Sequence, residues 1–166
     1  MPERVFISIG SNLGDSLLNC KMAARLLKER VRVKSSSSFY DTLPWGVTDQ
    51  PKFVNLAIEI ETELKPLELL TFLKSIESRM GRLESEEDPR WGPRVIDLDI
   101  IFYGDQILDC VELTIPHPLM SDRAFVLVPL SEIIPGFVHP VLKKSVAELL
   151  ALLDVEEASG AVKVIE

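Results

Sequence analysis

The sequence predicts an α+β fold, a sheet of ferredoxin-like type with helices on its faces. Three observations carry it. Residues 52–62 place Val54, Leu56, Ile58 and Ile60 at every second position, the period of a strand. Apolar residues recur at helical spacing on both sides of that strand, over residues 16–29 and 66–80. Strand-like segments then alternate with these helices and with hairpin turns, as in a layered sheet. At 166 residues the chain is expected to form a single domain, 1–166, that buries about two-thirds of its unfolded surface.

The elements follow in order. Val5 to Gly10 reads as a strand with Val5, Ile7 and Ile9 on one face. Gly10-Ser-Asn-Leu-Gly14 breaks it, and Asp15 or Ser16 caps a helix running to about Glu29, with Leu18, Met22 and Leu26 as its stripe. Val31 to Tyr40 is a second strand, serine-rich at Ser35 to Ser38. Thr42 to Pro51 is a loop by its Pro and Gly content. In the alternating strand that follows, Val54, Leu56, Ile58 and Ile60 form one face and Phe53, Asn55, Ala57 and Glu59 the other. Pro66 suits the first turn of a helix whose stripe is Leu69, Leu73, Ile76 and Met80, with Gly81 as its stop. Arg82 to Pro93 is charged and aperiodic, a long loop of a kind often functional. Val95 to Tyr103 is a strand, and Gly104-Asp105 turns it into a hairpin with Gln106 to Ile115. Ser145-Val-Ala-Glu148 is a capping box opening a helix to about Leu153, and Val162 to Ile165 adds an edge strand.

Composition narrows the function classes. A net charge of −8 opposes a general nucleic-acid or anionic-membrane surface, so any bound anion needs a local cluster of arginines. No apolar run approaches the ~20 residues of a membrane span, and the first residues carry no leader pattern. Cys20 and Cys110 are the only cysteines, which fits a reducing cytoplasm. A cytoplasmic monomer acting on small molecules is expected.

Chemistry concentrates around Asp97-Leu98-Asp99. In a strand these carboxylates share a face while Leu98, Ile100 and Phe102 enter the core. Paired carboxylates suit Mg²⁺, which binds through one or two of them plus substrate phosphates. Arg79, Arg82, Arg90 and Arg94 precede the pair, and guanidinium forks match phosphate oxygens. Two readings stay open here. A polyanion and its metal could lie between arginines and aspartates, or the pair could be a solvated strand face, with the arginines offsetting Glu84, Glu86, Glu87 and Asp88. Phe53 and Asn55 share a face suited to a flat heterocycle, by stacking and by amide hydrogen bonds. No Walker sequence is present, and two histidines without paired cysteines give no structural zinc pattern.

Arg90-Trp-Gly-Pro-Arg94-x-x-Asp97-Leu-Asp99, with Leu113-Thr-Ile-Pro-His117, resembles the 6-hydroxymethyl-7,8-dihydropterin pyrophosphokinase family of folate biosynthesis. The resemblance runs from Gly10 to Ile133. It implies a three-layer α/β/α sandwich around the ferredoxin-like core, with a mostly antiparallel sheet. It implies transfer of the β,γ-pyrophosphoryl group of ATP to the pterin hydroxymethyl oxygen, with AMP released. Asp97 and Asp99 match ligands for two Mg²⁺ ions, and Asp97 a group that helps activate the hydroxyl. Arg82 and Arg94 match arginines that clamp the triphosphate. On the ATP side the resemblance adds Lys74, Glu77, Trp91, Ile100, Thr114, His117, Pro118 and Arg123. Phe53 and Phe125 match an aromatic pair around the pterin, whose edge Asn55 and the Thr42-Leu43-Pro44-Trp45 segment would bind.

Two other classes are compatible with the residues alone. A metal-dependent phosphohydrolase also uses acidic pairs with arginines, though the net charge opposes a nuclease. A ferredoxin-like nucleotide-binding module would bind without turnover and leave the acidic pair unexplained.

Overall fold

The computed structural model describes residues 1–44, 49–81 and 94–164. Its main sheet contains β1 (Glu3–Ser11), β2 (Arg32–Ser36), β3 (Tyr40–Thr42), β4 (Phe53–Thr62), β5 (Asp97–Tyr103) and the short β8 (Val162–Lys163). The order is β5-β1-β4-β3-β8, with β2 also on β4, and every strand pairing among the described residues is antiparallel. With α1 (Ser16–Leu27) joining β1 to β2 and α2 (Pro66–Arg79) joining β4 to β5, this is the expected ferredoxin-like connection. The remaining elements are β6 (Leu108–Asp109), β7 (Thr114–Ile115), α3 (Ala124–Ile133), α4 (Val146–Ala151) and α5 (Val155–Ser159).

Central β1 is buried on both faces and divides two cores. Val5, Ile7 and Ile9 meet Leu56, Ile58 and Ile60 of β4 under α1 and α2. Phe6 and Ala57 face the other way, against Val126, Leu127 and Leu130 of α3 and Val146 and Leu149 of α4. Helices therefore cover both faces of the sheet, the three-layer arrangement. Among the described residues no helix is long and apolar enough to cross a membrane.

Local signals account for most boundaries. Asp15 Oδ1 accepts from Leu18 N at 3.2 Å and starts α1. Pro66 opens α2, and Gly81, at φ +93°, ends it. Ser145 and Glu148 form the expected capping box of α4.

Four expectations change. The buried stripe of α1 is Cys20, Ala23 and Leu27, while Leu18 and Met22 are exposed. Small side chains at 20 and 23 let the helix lie close to the sheet. The second strand divides into β2 and β3 at Ser37, whose Oγ accepts from Ala57 N at 2.9 Å in place of a backbone ladder bond. Gln106 to Ile115 does not return along β5; β6 and β7 pair with each other as a separate ribbon. Finally, Phe102 leaves the face of Leu98 and Ile100. Phe6 pairs with Phe102 and Ile7 with Ile100, so Ile101 is the extra residue of a bulge that sends Phe102 into the α3 core.

Candidate active site

The register of the sheet assembles the site floor. Asp97 stands opposite Gly10, Gly10 opposite Asn55, and Asn55 opposite Tyr40, in one row across four strands. The next row on the same face holds Asp99, Ser8 and Ala57. Cross-strand partners share a face, so both aspartates and Asn55 lie on the α3 side of the sheet. Leu98 and Ile100 occupy the opposite face. Both aspartates are half-buried, and Phe53 opposite Thr42 extends the same face to the start of β4.

Asn55 is fixed within this floor. Its Nδ2 donates to Thr42 Oγ1 at 2.5 Å, and both residues are buried. A Cβ at position 10 would fall 2.5 Å from Asn55 Oδ1 and 3.7 Å from the Phe53 ring, so the amide needs a glycine there.

The wall comes from the segment before α3. His117 N donates to the Ile101 carbonyl at 3.0 Å, and His117 Nδ1 accepts from Leu119 N at 3.3 Å. This leaves the proton of the neutral ring on Nε2. Burial first, and the Arg123 guanidinium second, push the His117 pKa down to about 4, against an opposing pull from Asp97. The ring is therefore a neutral donor beside a cation and a carboxylate. Arg123 is buried, and its guanidinium carbon lies 5.3 Å from the centre of the Phe125 ring.

Two of the other expected positions lie at β5, the outer strand of the sheet. Buried Glu77 of α2 accepts from Leu98 N at 2.9 Å, covering part of that edge. Ile100 buries its side chain in the core under α1 and α2, so only its main chain can face a ligand. Thr114 is half-buried on the β6–β7 ribbon, whereas Lys74, Pro118 and Leu43 are exposed. Trp45, Arg82 and Trp91 lie outside the described residues. Arg94 is buried, its main chain bound to the turn after β1.

Two contributors were missed in the sequence. Gly10 and Asn12 sit in a stretch that reads as an ordinary strand-to-helix turn. The available signal was an asparagine inside a short turn, since a buried amide needs both donors and acceptors satisfied.

The chain has relatives among known proteins. Residues 6–135 match the family described as 7,8-dihydro-6-hydroxymethylpterin-pyrophosphokinase. The chain belongs to this family. The 2-amino-4-hydroxy-6-hydroxymethyldihydropteridine pyrophosphokinase of Methylorubrum extorquens is 44% identical over 154 residues, 91% of this chain and 94% of that protein. The folic acid synthesis protein of Dictyostelium discoideum is 45% identical over 138 residues, 83% of this chain but 20% of that longer protein. In structure, the pyrophosphokinase-family fold recurs in a Plasmodium falciparum HPPK-DHPS crystal structure with pteroate. That likeness has a TM-score of 0.75 at 14% identity, over 100% of this chain and 47% of that one.

Proposed function

We propose that this family member transfers the β,γ-pyrophosphoryl group of ATP to the hydroxymethyl oxygen of 6-hydroxymethyl-7,8-dihydropterin, releasing AMP for folate biosynthesis to continue. The observation that carries the reading is the row Asp97–Gly10–Asn55, which sets a carboxylate two strands from a clasped amide. A heterocycle on the amide would thus present its substituent toward the aspartates. The name of the Methylorubrum relative supports the choice of substrate.

Asn55 supplies donor and acceptor to the pterin edge, Thr42 holds it in orientation, and Phe53 and Phe125 supply aromatic faces for the ring. The Thr42–Leu43 main chain borders the same edge. Arg94, Arg123 and the His117 Nε2–H face the phosphates, with Thr114, Pro118, Lys74, Glu77 and the Ile100 main chain on the nucleotide side. Roles for Arg82, Trp91 and Trp45 rest on the sequence alone.

The donor set fits Mg²⁺, because two hard carboxylates on one strand face leave coordination positions for phosphate oxygens and water. Asp97 and Asp99 would hold two ions, which when bound supply neutralisation of the phosphate charge. Asp97 accepts the proton of the pterin hydroxyl as its oxygen attacks the β-phosphorus. The bond from that phosphorus to the α–β bridging oxygen breaks, and AMP departs with the electron pair. Positioning and charge account for the rate, with no covalent enzyme intermediate.

The test is to incubate the protein with ATP, Mg²⁺ and the pterin and to quantify AMP and ADP. AMP that requires both pterin and Mg²⁺ is expected. ADP would make the chain an ordinary phosphokinase or ATPase, and neither nucleotide from folded protein would make it a binding module.

A further inference from the structure

The turn from Gly10 to Gly14 does more than connect β1 to α1. Asn12 within it is 4% exposed, and its amide is used at both ends. Nδ2 donates to Gln50 Oε1 at 2.9 Å and to the Pro51 carbonyl at 3.0 Å. The side-chain oxygen accepts from Arg94 N at 2.8 Å. The main chain answers in the same direction, since Asn12 N and Leu13 N both donate to the Arg94 carbonyl, at 3.0 and 3.2 Å. Asn19 of α1 steadies the turn by donating from Nδ2 to the Leu13 carbonyl at 2.9 Å.

These bonds join two parts of the site that are far apart in sequence. Pro51 stands two residues before Phe53, where the pterin side of the floor begins. Arg94 stands three residues before Asp97, on the phosphate side. A planar amide offers two N–H donors and an acceptor without charge, and no side chain of the same size replaces it. Aspartate keeps the acceptor and loses the donors, while alanine loses both.

We propose that Asn12 is a positioning residue for the reaction, fixing the distance between the Arg94 main chain and the start of β4, and so between the phosphate clamp and the pterin floor. The inference rests on the functional reading above. Asn12 acts through the Arg94 main chain that it holds. A misplacement of about 1 Å at reacting groups costs on the order of 10²-fold in rate, so its loss falls on kcat more than on KM.

The experiment is a double-mutant cycle on AMP formation, using the whole chain as wild type, Asn12→Ala, Arg94→Ala and the combination, with a Tm for each. Asn12→Ala is expected to lower kcat by about 10- to 100-fold, with the KM of each substrate moved far less. In the Arg94→Ala background the same change should have little further effect. Asn12→Asp retains the acceptor for Arg94 N and should lose less than alanine; it also carries the cycle if Asn12→Ala does not fold. An unchanged kcat in a folded Asn12 variant overturns the inference. So does a loss that adds in full to that of Arg94→Ala, because an additive loss is the mark of general destabilisation. Wild-type protein that makes no AMP overturns the functional reading first and this inference with it, an outcome separate from either variant result.

Discussion

Gly10 and Asn55 face each other across β1 and β4 so closely that the amide occupies the volume of a side chain at position 10, 2.5 Å from where a Cβ would stand. Both lie in a sheet buried on each side, so the conflict has little room to relax. Gly10→Ala should displace the Asn55 amide from Thr42 and cost about 1–3 kcal/mol of stability. Pterin affinity should fall by about tenfold or more, because the amide no longer presents its polar groups in the floor. Calorimetric titration with the pterin checks this, and tight binding by the variant would show that Asn55 can be moved without penalty.

Ser37 gives a prediction confined to folding. Its buried Oγ accepts from Ala57 N at 2.9 Å and donates to the Ser38 carbonyl at 2.8 Å. Ser37→Ala removes the partner of a buried N–H and should cost about 1–3 kcal/mol. Urea unfolding should show a lower midpoint at unchanged m-value, with KM values held. A midpoint equal to wild type would mean that water replaces the hydroxyl.

The contrast between Ser37 and the strands around it shows what could be read from sequence. The alternation of residues 52–62 gave β4 directly, and period-2 geometry then put Phe53 and Asn55 on one face. The face shared by Asp97 and Asp99 was legible for the same reason. What escaped depends on partners distant in the chain. Ser37 interrupts its strand through a bond to Ala57, and Ile101 becomes a bulge only against β1. Asn12 acquires its role from Pro51 and Arg94, which lie 39 and 82 positions away. The stripe of α1 was misread because Leu18 and Met22 are apolar, yet close contact with the sheet favours Cys20 and Ala23.

His117 makes stability depend on pH. In the fold its ring stays neutral to about pH 4, whereas in the unfolded chain it takes a proton near pH 6.5. Between these values the unfolded state binds more protons. The contribution is therefore intact above pH 6.5 and lost as pH falls toward 4, by up to about 3 kcal/mol. Burial also lowers the His139 pKa, so that residue adds a slope of the same sign. His117→Asn should reduce the slope between pH 6.5 and 4 without abolishing it, as measured by urea midpoints across that range. An identical slope would remove the assigned burial and charge effects.

The two aspartates can be separated by their neighbours. Asp97→Asn and Asp99→Asn preserve size and strand pairing but remove charge, so the fold should survive in both. Each should lower kcat/KM by about 10²–10³-fold, as expected when a charge-stabilising group is lost from a site. Binding of a Mg²⁺–ATP analogue should weaken in both, while pterin binding should persist because Asn55 and Thr42 are untouched. The distinction lies at His117, whose pKa Asp97 holds up against burial and Arg123. Removing that charge should drive the His117 titration still lower. Asp97 is the carboxylate that raises the His117 pKa, so Asp99→Asn should move the titration less than Asp97→Asn does. Proton NMR of the imidazole ring reads both cases directly. Equal shifts in the two variants would mean that both carboxylates reach the ring equally, and would remove the separate role for Asp97 beside His117.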